Sequence, residues 1–388
     1  MSIRELVQAL ASALDGGPAV LVGVSPAQAR GLELPADTAL VLPTSGSTGT
    51  PKLVALGAAA IRASAAASAE RLGGRGHWLL ALPTDHIAGL NVVCRALLAG
   101  GPPTVMAPGP FTAEGFAAAA ARLPPGPRFA SLVPTQLRRL IGGAGDGIGG
   151  AADGIGVLRR FDAVLVGGAA LDAGLRRRAE AAGVRVVATY GAAETGGGCV
   201  YDGRPLGGVR VTLAAGGRIE VAGPTLATGY ARQPGGAAGT GFFERDQARW
   251  FATSDLGRWA PDGRLEVIGR VDDAITSGGL TVSPQAVEAV LRGLPGVVDA
   301  LVVGLEEPTW GQVVTALVVP DAAGPPSLGG LRRAVGRALD QAHAPRRLAL
   351  VEALPTLAPG KPDRAAAAAL AARLDASGQL ERSEARRG

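Results

Sequence analysis

Apolar and polar positions along this chain fall into alternating blocks, and the spacing inside each block predicts an element. MSIRELVQALASALDGG carries a short amphipathic helical pattern, followed by a strand near Ala19–Val24 and a proline-containing loop. ALVLPTSG reads as a strand entering a loop, AAAIRASAAASAERLG as a helix, HWLLALPTD as a strand and GLNVVCRALLAG as an apolar helix. PTVMAP and RFASLVPT read as strands, AVLVGGAAL as a strand and turn, LRRRAEAAG as a helix and VRVVATYG as a strand again. Strands alternating with helices in this way predict βαβ units and a parallel sheet.

From about Val209 the texture changes. VRVTLAAGGRIEVAG and RWFATSDLGRWAPDGRLEVIGR read as short antiparallel strands, with Asp262–Gly263 as a hairpin signal. Beyond a boundary at Arg270–Asp273 a new α+β unit begins. SPQAVEAVLRGLPGV predicts a helix with Ser283 as N-cap and Pro284 in its first turn. VVDALVVGL and QVVTALVVP are strands, LRRAVGRALDQA a helix and RRLALVEALP a final strand, with a frayed tail expected from Ser377. Gly142–Gly156 and Pro234–Gly241 are low-complexity surface-loop segments.

A length of 388 residues exceeds what one hydrophobic core supports and predicts two domains. With 47% apolar and 18% charged residues, bulk disorder is excluded. No apolar run approaches the roughly 18–20 residues of a membrane span, and the amino-terminal stretch is too short in apolar residues for a signal peptide. Cys94 and Cys199 form no framework and read as free thiols in a reducing cytoplasm. His77, His86 and His343 lack close metal-ligand spacing. The net charge of +5 is spread thinly, and with aromatics at only 4% no basic stripe interleaves with stacking residues. Small anionic substrates fit this balance, and no nucleic-acid partner is expected.

Lysine usage is more informative. Lys52 and Lys361 are the only lysines among 38 basic side chains. Under a bias that replaces lysine by arginine wherever either serves, these two positions mark places where a compact ammonium is needed. Lys52 ends TSGSTGTPK, where small hydroxyl residues and glycines let backbone N–H groups approach phosphate oxygens. The spacing is not that of the GxxxxGK[ST] loop. His86 lies in ALPTDHIAGL at a strand-to-helix junction, where a capping role is the plain alternative. VLVGGAAL and YGAAET follow strands, where α/β sheets place ligands. Tyr190 is suited to stack a purine and Glu194 to hold Mg²⁺. Asp255 in TSDLG is suited to accept ribose hydroxyls, and Lys361 sits on the Gly/Pro turn of GKPDR.

TSGSTGTPK, YGAAET, TSDLG, GRVDD followed by SGG, and GKPDR stand in the order and domain placement of the adenylate-forming enzymes. From about Ala39 to Arg364 the chain resembles that family of acyl- and aryl-CoA ligases, nonribosomal adenylation domains and luciferases. PTDHIAGLNV, SLVPTQLRRL and ETGGGCVYDGRPLGGV are similar to the o-succinylbenzoate–CoA ligases of menaquinone biosynthesis. Leu53 and Ser254 depart from the family, which often has glycine at each place.

The resemblance implies a fold of the α/β and α+β classes. It comprises a large N-terminal adenylate-forming domain with parallel αβ sheets and a small antiparallel β subdomain (residues 1–269), a hinge (270–273), a small mobile C-terminal α+β domain (274–376) and a disordered tail (377–388). It implies a reaction using ATP, Mg²⁺ and coenzyme A, in which o-succinylbenzoate is adenylated and then transferred to the thiol. Thr44, Ser45, Gly46, Ser47, Thr48, Gly49 and Lys52 would hold the phosphates. Gly167, Gly168, Ala169 and Tyr190 would flank adenine, with Gly191, Ala192 and Thr195 completing the nucleotide site. Asp255 and Arg270 would hold the ribose, and Glu194 the metal. Lys361, His86 and Glu194 are the implied catalytic residues, Lys361 reaching the α-phosphate and the acyl carboxylate. His86, Gly191, Thr195, Gly196 and Gly197 would line the acyl pocket, with Asp272 the hinge and Gly278 and Gly279 facing the pantetheine.

The expected partners are small molecules in the cytoplasm, without nucleic acid or membrane insertion, and a homodimer is left open. Another aryl- or acyl-CoA ligase, a stand-alone adenylation domain that loads a carrier protein and a non-catalytic nucleotide-binding relative are the competing readings.

Overall fold

Both faces of the parallel sheet are covered, which is why its strands read as nearly unbroken apolar runs. The computed structural model describes residues 1–44, 52–142, 153–232, 241–322, 324–357 and 361–383, with Leu357 and Lys361 described by backbone alone. The chain divides into two units. The first comprises Met1–Ala214, Ile219–Thr253 and Trp259–Leu265, the second Ala215–Arg218, Ser254–Arg258 and Glu266–Gly388.

In the first unit a seven-stranded sheet runs in the spatial order Arg204–Pro205, Gly197–Tyr201, Val186–Ala192, Ala163–Val166, Arg128–Leu132, His77–Leu80, Thr104–Val105. The last five of these are mutually parallel, and Gly197–Tyr201 returns antiparallel against Val186–Ala192. Successive side chains of a strand point to opposite faces. Trp78, Leu80, Phe129, Ala163 and Leu165 therefore enter one core, with Leu90 and Val93 of the helix Ile87–Leu98. Leu79, Ala130, Leu132, Val164 and Val166 enter the other, against Phe116, Leu137 and Leu175 of three further helices.

A four-stranded sheet runs Val20–Leu21, Thr38–Thr44, Lys52–Gly57, Gly229–Ala231. The expected antiparallel strands after Val209 form a further sheet in the order Arg210–Leu213, Arg218–Ala222, Ala248–Trp259, Phe242–Arg245. Leu265–Arg270 pairs with Ala248–Trp259 beyond the Asp262–Gly263 turn, where Gly263 takes a left-handed φ of 75°.

In the second unit the antiparallel pair Val297–Glu307 and Gly311–Pro320 forms the centre of a sheet. Alternation again divides the side chains. Ala300 and Val302 pack with Val287, Leu291, Leu331 and Val335 of the helices Pro284–Arg292 and Leu328–Ala338. Leu301, Val303 and Leu305 pack with Ala367 and Ala371 of the helix Arg364–Ala376. Ser283 caps the first of these helices through a hydrogen bond from Ala286 N–H, with Pro284 in the first turn, as the sequence predicts.

Four elements differ from expectation. Lys52–Gly57 is a strand, in a stretch for which the sequence predicts no element. Arg347–Leu350 is not the last element, because Asp363 caps the 13-residue helix Arg364–Ala376. Its alanine run shows no amphipathic contrast, yet alanine has the highest intrinsic helix propensity. The disordered-tail expectation is corrected as far as Ser383, since Glu381–Arg382 pairs antiparallel with Arg347–Leu348. Of the Gly142–Gly156 segment, Gly154–Leu158 starts a short helix capped by Asp153. Residues 143–152 and 233–240 lie outside the described residues.

Candidate functional site

The strand Thr38–Thr44 leads into the TSGSTGTPK segment and the strand Lys52–Gly57 leads out of it. Thr44 and Lys52 are antiparallel partners, and Thr44 Oγ1 donates to the Lys52 carbonyl at 3.3 Å. The two ends of the segment are thus held side by side. Ser45, Gly46, Ser47, Thr48 and Gly49 lie outside the described residues.

Glu194 sits in the single turn Ala193–Thr195 that follows the strand Val186–Ala192, at the carboxyl end of the parallel sheet. It is buried, and its Oε1 accepts a hydrogen bond from the Tyr230 hydroxyl at 3.1 Å. Tyr230 lies on the strand Gly229–Ala231, which pairs with Lys52–Gly57 so that Tyr230 faces Val54 in register. Lys52 Nζ lies 5.5 Å from the centroid of the Tyr230 ring, within cation–π range. Burial first, and then the charge and hydrogen bond of Glu194, push the Tyr230 phenol far above its usual range, so it stays a donor. Two residues singled out from sequence, Lys52 and Glu194, therefore meet on a third that the sequence reading missed. The available signal was modest: Tyr230 is one of only three tyrosines, directly after a glycine.

The turn that carries Glu194 is built from glycines. Gly196 and Gly197 adopt φ of 71° and 86°, which only glycine takes readily. A Cβ on Gly197 would stand 2.1 Å from Asn91 Nδ2, and one on Gly191 would stand 2.0 Å from the Gly197 carbonyl oxygen. Asn91 Nδ2 donates to the Gly196 carbonyl at 2.9 Å and anchors the turn to the helix Ile87–Leu98. Thr195 is buried, and its hydroxyl accepts from Ala192 N–H at 2.8 Å and faces the carbonyls of Ala192 and Gly197. Its hydroxyl is thus engaged within the turn. His86 occupies the N-cap position of Ile87–Leu98 without capping it, its side chain exposed with Nε2 3.7 Å from Asp85.

Gly167, Gly168 and Ala169 follow the strand Ala163–Val166. A Cβ on Gly167 would meet Thr189 Oγ1 at 2.3 Å, so the adjacent strand ends are in close contact there. Tyr190 and Gly191, expected at the end of a strand, and Ala192 belong to the strand Val186–Ala192 and pair with Gly197–Tyr201. Deeper along the same helix as Asn91, Arg95 is buried without an ion pair among the described residues. Its guanidinium donates to the Tyr201 hydroxyl at 3.0 Å and lies 5.2 Å from the Trp78 ring centroid, while its Nε has no hydrogen-bond partner among the described residues.

In the second unit, Arg270 Nη1 lies 3.2 Å from Asp255 Oδ1 and Nη2 lies 3.4 Å from Asp272 Oδ2. Asp255, Arg270 and Asp272, expected from sequence at the ribose and the hinge, thus form one ion-pair chain. Gly278 and Gly279, at φ of 58° and 78°, form the two-residue turn between Ile275–Ser277 and Leu280–Val282. A Cβ on Gly278 would stand 2.7 Å from the Trp310 ring. Lys361 begins a two-residue strand paired with Thr356–Leu357, and Asp363 N–H bonds the Pro355 carbonyl at 3.0 Å.

Among the described residues no group of three or more His, Cys, Asp or Glu could hold a metal. A single buried carboxylate suits Mg²⁺ that is shared with phosphate oxygens and water, which is how this ion is usually held. No helix among the described residues is long and apolar enough to cross a membrane.

Residues 11–231 match the AMP-binding enzyme family and residues 286–361 the AMP-binding enzyme C-terminal domain. The chain is 45% identical over 373 residues to a probable 2-succinylbenzoate–CoA ligase of Mycobacterium tuberculosis, covering 93% of this chain and 94% of that protein. It is 30% identical over 380 residues to the 2-succinylbenzoate–CoA ligase of Geobacillus kaustophilus, covering 89% and 73%. Among solved structures it is similar to the o-succinylbenzoate–CoA synthetase of Bacillus subtilis in complex with its acyl-adenylate intermediate. That match has a TM-score of 0.71, 25% identity, and coverage of 94% of this chain and 80% of that one. ATP-bound MatB from Rhodopseudomonas palustris gives a TM-score of 0.72 and 25% identity, covering 87% and 69%.

Proposed function

This chain belongs to the AMP-binding enzyme family, and within that family we propose that it ligates coenzyme A to o-succinylbenzoate, using ATP. The observation that carries the proposal is the convergence of Lys52 and Glu194 on Tyr230 beside the glycine turn, in a chain 45% identical to a probable ligase of that specificity. The product would enter menaquinone biosynthesis.

A carboxylate is a poor electrophile, so activation comes first. The carboxylate of the succinyl arm attacks the α-phosphorus of ATP, and the bond to pyrophosphate breaks. The thiol of coenzyme A then attacks the acyl carbon, and AMP leaves. The segment from Thr44 to Lys52 would hold the β- and γ-phosphates, its two ends fixed by the Thr44–Lys52 pair. Glu194 would hold Mg²⁺, which when bound neutralises charge on the phosphoryl oxygens. The Tyr230 hydroxyl orients the carboxylate for that task. Tyr190 and Gly167–Ala169 would flank adenine, and Asp255, steadied by Arg270, would accept the ribose hydroxyls. Lys361 would place a cation at the α-phosphate and the acyl carboxylate. His86, Gly196 and Gly197 would bound the acyl pocket, the glycines leaving room for the ring.

Residues 1–269 would form the adenylation domain, 270–273 the hinge and 274–376 the mobile domain that brings Lys361 into use. The enzyme would be cytoplasmic, with a homodimer as the assembly to test.

The deciding experiment measures thioester formation from o-succinylbenzoate, ATP, Mg²⁺ and coenzyme A, with benzoate and octanoate alongside. Product from o-succinylbenzoate alone is expected. Pyrophosphate release with a different acid would keep the reaction class and overturn the substrate. Pyrophosphate release without any product on free coenzyme A would indicate loading of a carrier protein.

A further inference from the structure

Arg364 stands three residues beyond Lys361, at the start of the helix Arg364–Ala376. Its side chain is largely buried and meets three acceptors from three different segments. Nε lies 3.0 Å from Asp273 Oδ2, Nη1 lies 2.8 Å from Glu288 Oε1, and Nη1 donates to the Val302 carbonyl at 2.8 Å. Glu288 is only 3% exposed at its side chain, and it also accepts from Val302 N–H at 3.0 Å and pairs with Arg292 at 3.3 Å. Asp273 also accepts from Gln285 Nε2 at 2.6 Å. Ser283 Oγ donates to the Ile268 carbonyl, so the first turn of Pro284–Arg292 is bound to the strand that leads into residues 270–273.

Each link has a chemical reason. A carboxylate as buried as Glu288 is tolerated only when paired and hydrogen-bonded. A guanidinium presents several donors in a rigid plane and can serve two carboxylates and a carbonyl at once, which an ammonium on a flexible stem does less well. Arg364 therefore joins the segment after the strand Lys361–Pro362 to Asp273, beside the proposed hinge aspartate, and to the strand Val297–Glu307.

We infer that Arg364 is a positioning residue. Through Asp273 and Glu288 it fixes where the strand Lys361–Pro362 stands relative to the hinge segment, and so supports the half-reaction that uses Lys361. This inference rests on the proposed role of Lys361 in adenylation, and the test separates the two.

The test compares Asp273→Asn, Arg364→Lys and Lys361→Ala in the full chain. It uses o-succinylbenzoate-dependent ATP–pyrophosphate exchange, thioester formation from supplied acyl-adenylate, and thermal unfolding. Asp273→Asn keeps the shape and removes the charge facing Arg364, so it is expected to fold and to lower exchange kcat by about tenfold. A displacement of a reacting group by about 1 Å can cost more than this. The KM for o-succinylbenzoate and thioester formation should stay within about twofold, and Arg364→Lys should lose at least as much exchange as Asp273→Asn. Normal exchange in a folded Asp273→Asn, with exchange lost in Lys361→Ala, would overturn the inference. So would an equal fall of both half-reactions together with the unfolding temperature, the result of a purely structural role. Normal exchange in Lys361→Ala would instead overturn the reading of Lys361 itself. If Arg364→Lys does not fold, Asp273→Asn decides.

Discussion

The phenol of Tyr230 donates to Glu194 Oε1 at 3.1 Å, while Lys52 Nζ lies 5.5 Å from the centre of the same ring. One aromatic side chain therefore engages both charges that the proposed nucleotide site depends on. Tyr230→Phe keeps the ring and removes only the hydroxyl. Hydrogen bonds to charged groups contribute about 1.5–3 kcal/mol, so binding of MgATP is expected to weaken by roughly tenfold or more. The unfolding temperature should fall as well, because the unliganded protein loses the same hydrogen bond to a buried carboxylate, while the contact of the ring with Phe242 remains. Calorimetric titration with MgATP checks this, and unchanged affinity would remove Tyr230 from the site.

Gly191 is expected to be among the least replaceable residues of the first unit. A Cβ there meets the Gly197 backbone oxygen at 2.0 Å, and a backbone atom in a paired strand cannot yield as a side-chain end can. Gly191→Ala should destabilise the protein by about 1–3 kcal/mol, the usual range for overpacking. Gly73→Ala is the contrasting strained glycine, with open space around its Cβ and only its φ of 98° to oppose it. Urea midpoints for the two variants separate steric clash from backbone strain.

Lys361→Ala should lower pyrophosphate release on the order of 10²–10³-fold, by analogy with the loss of an oxyanion donor. Thioester formation from supplied acyl-adenylate should survive. Loss of both half-reactions in a folded variant would sink the assigned role. Asp272→Pro should show the converse, keeping adenylation and blocking thioester formation, because a hinge must absorb a large backbone rotation. Assay of each half-reaction separately reads both outcomes.

The two cysteines predict how stability responds to alkali. Burial raises the Cys94 thiol from 9.0 to about 12 and the Cys199 thiol from 9.0 to about 11. Their neutral forms are favoured in the folded state, so the contribution is intact below pH 9 and declines as pH rises toward these folded values. Each thiol should remove up to about 1.4 kcal/mol per pH unit over that window. Urea midpoints at pH 7 and pH 10, compared with those of a Cys94→Ala/Cys199→Ala double variant, isolate the effect. The variant should show the smaller drop. Neither thiol should react with an aromatic disulfide reagent until the chain is unfolded.

Much of this protein is local information. Short unbroken apolar runs suffice for the parallel strands, because a sheet covered on both faces needs apolar residues at every step. The caps at Ser283 and the turn at Asp262–Gly263 follow from single residues whose chemistry is confined to a few bonds. The two surviving lysines and the glycine-rich motifs are legible for the same reason, since each records a need that no other residue type meets. The helix Arg364–Ala376 was not legible by pattern, because an alanine run has no polar face to contrast with an apolar one. The strand Lys52–Gly57 was hidden because its short apolar run passes directly into the helix Ala58–Leu72.

What only the tertiary structure decides is which distant residues meet. Tyr230 reaches Glu194 because its strand pairs with Lys52–Gly57, a choice made by long-range hydrogen bonding between segments almost 180 residues apart. Arg364 finds Asp273 and Glu288 because two helices and a strand pack together around them. Asn91 fastens the Gly196 turn, and Arg95 is buried against Trp78 and Tyr201, through packing that no local spacing encodes. The amino-acid sequence determines the parts and their order. Their juxtaposition is fixed by side-chain burial and strand register, which depend on the whole chain at once.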